Sequence, residues 1–167
     1  QLGRKTVIVD TDLRKPMLHK IFDIKREIGV SDYLNDIENL KIETIIKQTE
    51  VENLSVIPSG KLMPNPSELL GSKNMKQVIL ELKNNFDLVI FDTPPIIPVT
   101  DSRVVANQID SMLLIVKSGQ TDYNLLKRAK TLLDSVNTTL VGCVLNAFSS
   151  KHGAYGDYAS YYEYYYS

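Results

Sequence analysis

An α/β fold, with a mostly parallel sheet flanked by helices, is predicted by three features of the sequence. Two short apolar runs, 7–9 and 88–91, each end on an aspartate, as suits strands buried on both faces of a parallel sheet. Further apolar runs alternate with stretches of helical periodicity, an order that implies right-handed crossovers between parallel strands. Past Phe148 the composition changes, and residues 149–167 contain no Leu, Ile, Val or Phe. The chain therefore divides into a folded domain, 1–148, and a flexible tail, 149–167, that cannot bury a core.

Residues 1–5 read as the last turn of a helix, with Gly3 as its left-handed cap. Residues 6–10 form the first strand, and Lys15-Pro16 turns the backbone into a short amphipathic piece, 17–22. Residues 29–34 run from a loop into a short helix with Ser31 as its cap. A helical segment is expected over 42–49, then a strand over 54–57 stopped by Pro58. After a loop, Asn65-Pro66-Ser67-Glu68 carries helix-start logic: a cap, a proline at the first helical position, and an acid three residues after the cap. A longer helix over 73–84 places Met75, Val78, Ile79 and Leu82 on one face. The strand ending at Asp92 is halted by two prolines, and the loop to Pro98 leads to a short helix over 101–106. A strand over 111–116, a helix over 123–135 and a strand over 139–146 complete the order. Asp101 and Lys117 read as cap and loop residues.

With 167 residues, 43% of them hydrophobic, the chain can bury the core of one domain. A net charge of −1 gives no basic footprint for nucleic acid. The one cysteine, Cys143, lies in the apolar run 140–145 and reads as a small core residue. A single thiol forms no disulfide or zinc site within the chain, which suits a reducing cytoplasm. The sequence has no run of 18 apolar residues and no secretion signal, so contact with a membrane would need a partner.

Asp10 and Asp12 sit at i and i+2 at the end of the first strand, the edge where open α/β sheets bind ligands. Two acids there cost free energy unless a cation, a proton relay or hydrogen bonds compensate them. An ordinary strand followed by an Asx-type turn is the plain alternative. Asp92 repeats the pattern, and an apolar strand ending on an acid is the Walker B arrangement, whose carboxylate orients Mg²⁺. Two such strands at one sheet edge point to a Mg-nucleotide site.

Val-Ile-Val-Asp-Thr-Asp-Leu-Arg at 7–14 resembles the second Walker motif of bacterial tyrosine kinases, P-loop enzymes that regulate capsule and exopolysaccharide synthesis. Ile-Phe-Asp-Thr-Pro-Pro at 90–95 is similar to their Walker B, and Pro-Asn-Pro-Ser-Glu-Leu-Leu at 64–70 matches the same family. The resemblance implies a P-loop NTPase-like fold, ATP/ADP and Mg²⁺ as cofactors, and Asp12 and Asp92 as the acids that hold the metal. It makes Asp10 the acceptor of the tyrosine hydroxyl proton, with a structural turn acid as the rival reading. Asn146 matches an Asn that pairs with adenine in related P-loop ATPases, or is a strand-end turn residue. Arg14 contacts phosphates or a neighbouring subunit, or is a solvated surface residue. No G-x-x-x-x-G-K-[ST] loop occurs in the 167 residues: the nearest stretch, 55–62, has Ser for the first Gly and Leu after Gly60-Lys61. In the family that loop and its helix come immediately before this point, so the resemblance implies a kinase domain lacking its first βα unit.

Seven of the nine tyrosines, Tyr155, Tyr158, Tyr161, Tyr162, Tyr164, Tyr165 and Tyr166, crowd the last 13 residues. No lysine accompanies them there, unlike aromatics anchored at a membrane interface. They read as a phosphoacceptor cluster. The resemblance implies an autokinase that phosphorylates the tail of a neighbouring subunit in a homo-oligomeric ring. It also implies a transmembrane activator of the polysaccharide co-polymerase type, which holds the kinase at the inner face of the cell membrane. Two alternatives stay open: a nucleotide-switch ATPase of the partition or division-site type, and a non-catalytic phosphoacceptor fragment.

Overall fold

The computed structural model describes residues 3–148, which divide between Ile109 and Asp110 into two compact units. The helical turn expected at residues 1 and 2 and the tyrosine tail lie outside the described residues. Gly3 has the left-handed backbone expected of it, with φ 67°.

In the first unit, β1 (Thr6–Asp10) is the centre of a four-stranded sheet. It pairs in parallel with β3 (Leu54–Ile57) on one side and with β4 (Leu88–Asp92) on the other. The short β2 (Lys47–Gln48) adds antiparallel to β3, so the order is β2-β3-β1-β4. Val7 and Val9 are fully buried, as a central strand requires. By contrast β4 is the edge of this sheet, and its Leu88 and Ile90 are each 43% exposed. The double-faced burial expected for 88–91 is therefore not met; side chains stand off the faces of a sheet, and pairing with β1 in the plane covers neither face.

The long helix α5 (Lys73–Asn85) buries Met75, Val78, Ile79 and Leu82, the face its periodicity predicts. Ser72 starts it by accepting the Met75 N–H at 3.2 Å. Its apolar stripe packs in one core with Val7, Val9, Tyr33, Leu34, Ile45 and Leu70. Around this core lie α1 (Leu18–Ile21), α2 (Val30–Asn35), α3 (Ile42–Ile45), α4 (Pro66–Leu70) and α6 (Asp101–Ala106).

Two local expectations need correction. The helix expected over 42–49 stops at Ile45, and the chain extends into β2, where Lys47 lies opposite Val56 and Gln48 opposite Ser55. Pairing with a waiting strand outweighs the weak helix propensity of the β-branched pair Ile45-Ile46. Ser31 is not a cap either. Gly29 begins α2, Asp32 reaches back to accept the Gly29 N–H at 3.0 Å, and the Ser31 hydroxyl donates to the Lys61 carbonyl.

The second unit contains β5 (Ser111–Lys117), α7 (Tyr123–Asp134) and β6 (Thr139–Asn146). The two strands pair in parallel from Ser111 opposite Thr139 to Lys117 opposite Asn146. Asp122 caps α7 by accepting the Asn124 N–H at 2.7 Å, and Val116, Ala129 and Leu133 are buried. Cys143, expected in a core, is exposed, together with Leu113, Ile115, Val141 and Leu145. A pair of strands with one helix cannot cover both faces, so apolar neighbours in sequence did not ensure burial. Among the described residues, no helix is long and apolar enough to cross a membrane.

Candidate active site

The register of β1 against β4 puts Asp10 beside Asp92 on neighbouring strands, which run about 4.8 Å apart in any sheet. Thr11 fixes this junction twice: its N–H and its hydroxyl donate to the Asp92 carbonyl at 2.9 and 2.6 Å. The chain then bends at Asp12, whose Oδ1 accepts the N–H groups of Arg14 and Lys15 at 3.1 and 2.9 Å. That is an Asx-type turn, and it engages one of the two carboxylate oxygens. The three sequence-predicted acids thus meet at the carboxyl end of the sheet.

They differ in environment. Asp10 is fully buried; its Oδ2 accepts the Leu18 N–H at 3.2 Å, while its Oδ1 is buried with no hydrogen-bond partner. Burial pushes its pKa up to about 6, the Leu18 N–H pulls the other way, and the negative charge of Asp92 raises it further. Asp92 is exposed as a whole residue, yet desolvation of its carboxyl, then the charge of Asp12, raises its pKa too. Such an excess of negative charge suits a site that takes a cation with its phosphate ligands. Among the described residues, no group of three or more His, Cys, Asp or Glu is set to hold a metal unaided. Mg²⁺ does not need one, since it is commonly bound by one or two carboxylates, phosphate oxygens and water. Asp12 and Asp92, with the unpartnered oxygen of Asp10 behind them, fit that role.

The Arg14 side chain pairs with a fourth acid, Asp101. Its Nε and Nη2 donate to Asp101 Oδ2 and Oδ1 at 2.8 and 3.1 Å. Asp101, expected to be a simple cap, is completely buried in the first turn of α6. It also accepts the hydroxyl of Ser67, which is bonded in turn to Thr100 at 2.9 Å. Burial alone would raise the Asp101 pKa, but the Arg14 and Ser67 bonds and the Arg14 charge hold it below the usual carboxylate range. The adjacent Ser102 hydroxyl donates to the Pro94 carbonyl, in the loop that leaves Asp92. Sequence reasoning missed Thr11, Ser67 and Ser102. The available signals were hydroxyls next to motif acids and an acid closely following a proline-rich loop.

Beyond β3, the start of α2 is joined to the chain by bonds from the Val30 and Ser31 N–H groups to the Pro58 and Ser59 carbonyls, each 2.9 Å. Gly60 has φ 80°, and a Cβ there would collide with Asp32 and Ser31 side-chain oxygens. Only glycine fits. In the second unit Asn146 ends β6; its carbonyl accepts the Ser118 N–H, and its Oδ1 accepts the N–H of Ala147 at 2.8 Å. Lys117 donates its N–H to the Thr121 hydroxyl at 3.2 Å.

A family model described as an AAA domain matches residues 1–141. The tyrosine-protein kinase YwqD of Bacillus subtilis (strain 168) is 36% identical over 161 residues, covering 96% of this chain and 67% of that protein. Among solved structures, the chimerical protein CapA2B2 is 36% identical with a TM-score of 0.83, covering 87% of this chain and 64% of that one. The chain therefore spans about two thirds of the length of these relatives. At the level of fold alone, it resembles the septum site-determining protein MinD of Pyrococcus horikoshii OT3, solved with Mg-ADP, at 21% identity, a TM-score of 0.71, and 90% and 60% coverage of the two chains.

Proposed function

Because the chain belongs to the bacterial tyrosine-kinase family of P-loop ATPases, we propose that it is the acidic-site and acceptor part of an ATP- and Mg²⁺-dependent protein-tyrosine autokinase controlling capsular or extracellular polysaccharide synthesis and export. The observation that carries this reading is the meeting of Asp10, Asp12 and Asp92 at one sheet edge, in a chain that ends in seven clustered tyrosines. Bound ATP·Mg²⁺ would supply the phosphoryl group and the charge neutralisation that dominates such transfers. Asp12 and Asp92 hold the cation. Asp10 takes the tyrosine proton: a pKa of about 6 leaves it ionised at neutral pH and close enough to it to accept. Its unpartnered oxygen is closed to solvent, so the incoming hydroxyl reaches it by displacing its cover or through one water. Asn146 would meet the adenine.

The 167 residues contain no G-x-x-x-x-G-K-[ST] loop. The acceptors are Tyr155, Tyr158, Tyr161, Tyr162, Tyr164, Tyr165 and Tyr166 of a neighbouring subunit in a ring. A transmembrane activator of the polysaccharide co-polymerase type completes the nucleotide site and holds the kinase at the inner face of the cell membrane. Seven phosphotyrosines would add on the order of −10 to −14 charges, against a starting net charge of −1. Tails so charged leave the acidic site, and the subunits separate.

The full-length protein incubated with ATP, Mg²⁺ and the activator's cytoplasmic segment should become phosphorylated on tyrosine. Absence of phosphotyrosine while ATP is demonstrably bound would refute the kinase. Hydrolysis of ATP stimulated by DNA or lipid, without phosphotyrosine, would instead favour the division-site type of ATPase, whose fold it resembles.

A further inference from the structure

We propose that Asp101 is a positioning residue for the phosphoryl-transfer site, acting through Arg14 on Asp12. This rests on the kinase reading for its substrate, but not for its geometry. Residue 14 is held at both ends. Its guanidinium is forked onto both oxygens of Asp101, and its backbone N–H donates to Asp12 Oδ1 at 3.1 Å. Wherever Asp101 holds the Arg14 side chain, the amide that orients Asp12 goes with it. The same carboxylate accepts the hydroxyl of Ser67 in the first turn of α4, and the next residue, Ser102, bonds the carbonyl of Pro94, two residues past Asp92. One helix start thus ties together the loops that carry the two metal-holding acids.

Stability alone is a poor reason for this arrangement. The Asp101 side chain is fully buried while that of Arg14 is 42% exposed, so the acid is desolvated against a partner that stays partly in water. Buried ion pairs are weak stabilisers, and apolar replacements often serve as well. A bidentate Arg–carboxylate pair does, however, fix direction as well as distance. A Lys at position 14 would keep the charge and lose that geometry.

The test uses the full-length kinase loaded with ADP and follows the rise in melting temperature on titration with Mg²⁺, a readout that needs no turnover. Asp101→Asn should raise the Mg²⁺ concentration for half-maximal stabilisation about tenfold, with ADP affinity in the absence of Mg²⁺ changed less than twofold. Arg14→Lys should move it in the same direction by a smaller factor, and provides the measurement if Asp101→Asn does not fold. In an Asp12→Asn background, Asp101→Asn should have no further effect, because the residue through which it acts is already gone. Unchanged Mg²⁺ dependence in a folded Asp101→Asn or Arg14→Lys protein would overturn the proposal, as would an equal effect of Asp101→Asn in the Asp12→Asn background. A wild type without any Mg²⁺ response would overturn it together with the metal site. A wild type that responds to Mg²⁺ but makes no phosphotyrosine would overturn the kinase reading and leave this test standing.

Discussion

Replacing Asp10 by Asn removes a charge from the interior of the sheet edge, and its effect on stability can be worked out. The acid is fully buried, and its pKa stands at about 6 against an ordinary 3.8. A folded-state pKa above the unfolded one means that the native form binds the proton more tightly. The ionised group is therefore destabilising at high pH, and that penalty fades as pH falls through 6 towards 4. Linkage gives a cost of about 3 kcal/mol at pH 8 and about 1.5 kcal/mol at pH 5. Asn can still accept the Leu18 N–H, but its amide replaces a buried oxygen that has no partner, which returns about 1 kcal/mol or more of that gain. Urea unfolding followed by circular dichroism without Mg²⁺ should show Asp10→Asn more stable than wild type by about 1–2 kcal/mol at pH 8. The difference should shrink by about 1.5 kcal/mol at pH 5. Parallel stability curves from pH 5 to pH 8 would refute the assignment of a raised pKa to this residue, and with it the case for a poised proton acceptor.

Asp12→Asn or Asp92→Asn in the full-length protein should preserve the fold and remove most Mg²⁺-dependent tyrosine phosphorylation; near-normal autophosphorylation in either would mean that the metal lies elsewhere. The 167-residue chain alone should bind ATP very weakly for want of the amide cradle and its lysine, and micromolar affinity by calorimetry would contradict the need for that cradle. Gly60→Ala should cost about 1–3 kcal/mol in chemical denaturation, from the left-handed φ and the collision with Asp32 and Ser31. Changing all seven tail tyrosines to Phe should lock the ring without weakening nucleotide binding, and light scattering should show a smaller assembly after autophosphorylation of the wild type alone. One single Tyr→Phe change reproducing the whole effect would argue against a charge-count mechanism.

The parts of the fold legible in the sequence are those where one strong pattern meets no rival. The stripe of α5 from Met75 to Leu82 and the apolar strand ending at Asp10 are of this kind, and the structure buries both. The segment 42–49 misled because its helical period is short and β3 offers a pairing partner that local sequence does not reveal. Cys143 and the apolar face of β4 misled for a different reason. Burial is decided by what covers a strand, and no residue in a strand records its neighbour. At the candidate site, the placing of Asp10 and Asp92 at one sheet edge was legible from two apolar strands that each end on an acid, while the pairing of Asp101 was not. Its role depends on Arg14, 87 positions away in the chain, and on the proline-containing loop after Asp92, to which Ser102 of α6 is bonded.

The most direct test mixes two full-length versions of the protein with ATP, Mg²⁺ and the activator segment. One carries Asp12→Asn with its tail intact; the other has the wild-type acids but lacks residues 149–167. On the proposed mechanism, neither phosphorylates its own tail. Mass spectrometry of the mixture should find phosphate on several of Tyr155, Tyr158, Tyr161, Tyr162, Tyr164, Tyr165 and Tyr166 of the Asp12→Asn chain, and none when that chain is incubated alone. Phosphate on the Asp12→Asn chain in isolation, or none in the mixture while wild type labels normally, would contradict transfer between subunits at the Asp12 site.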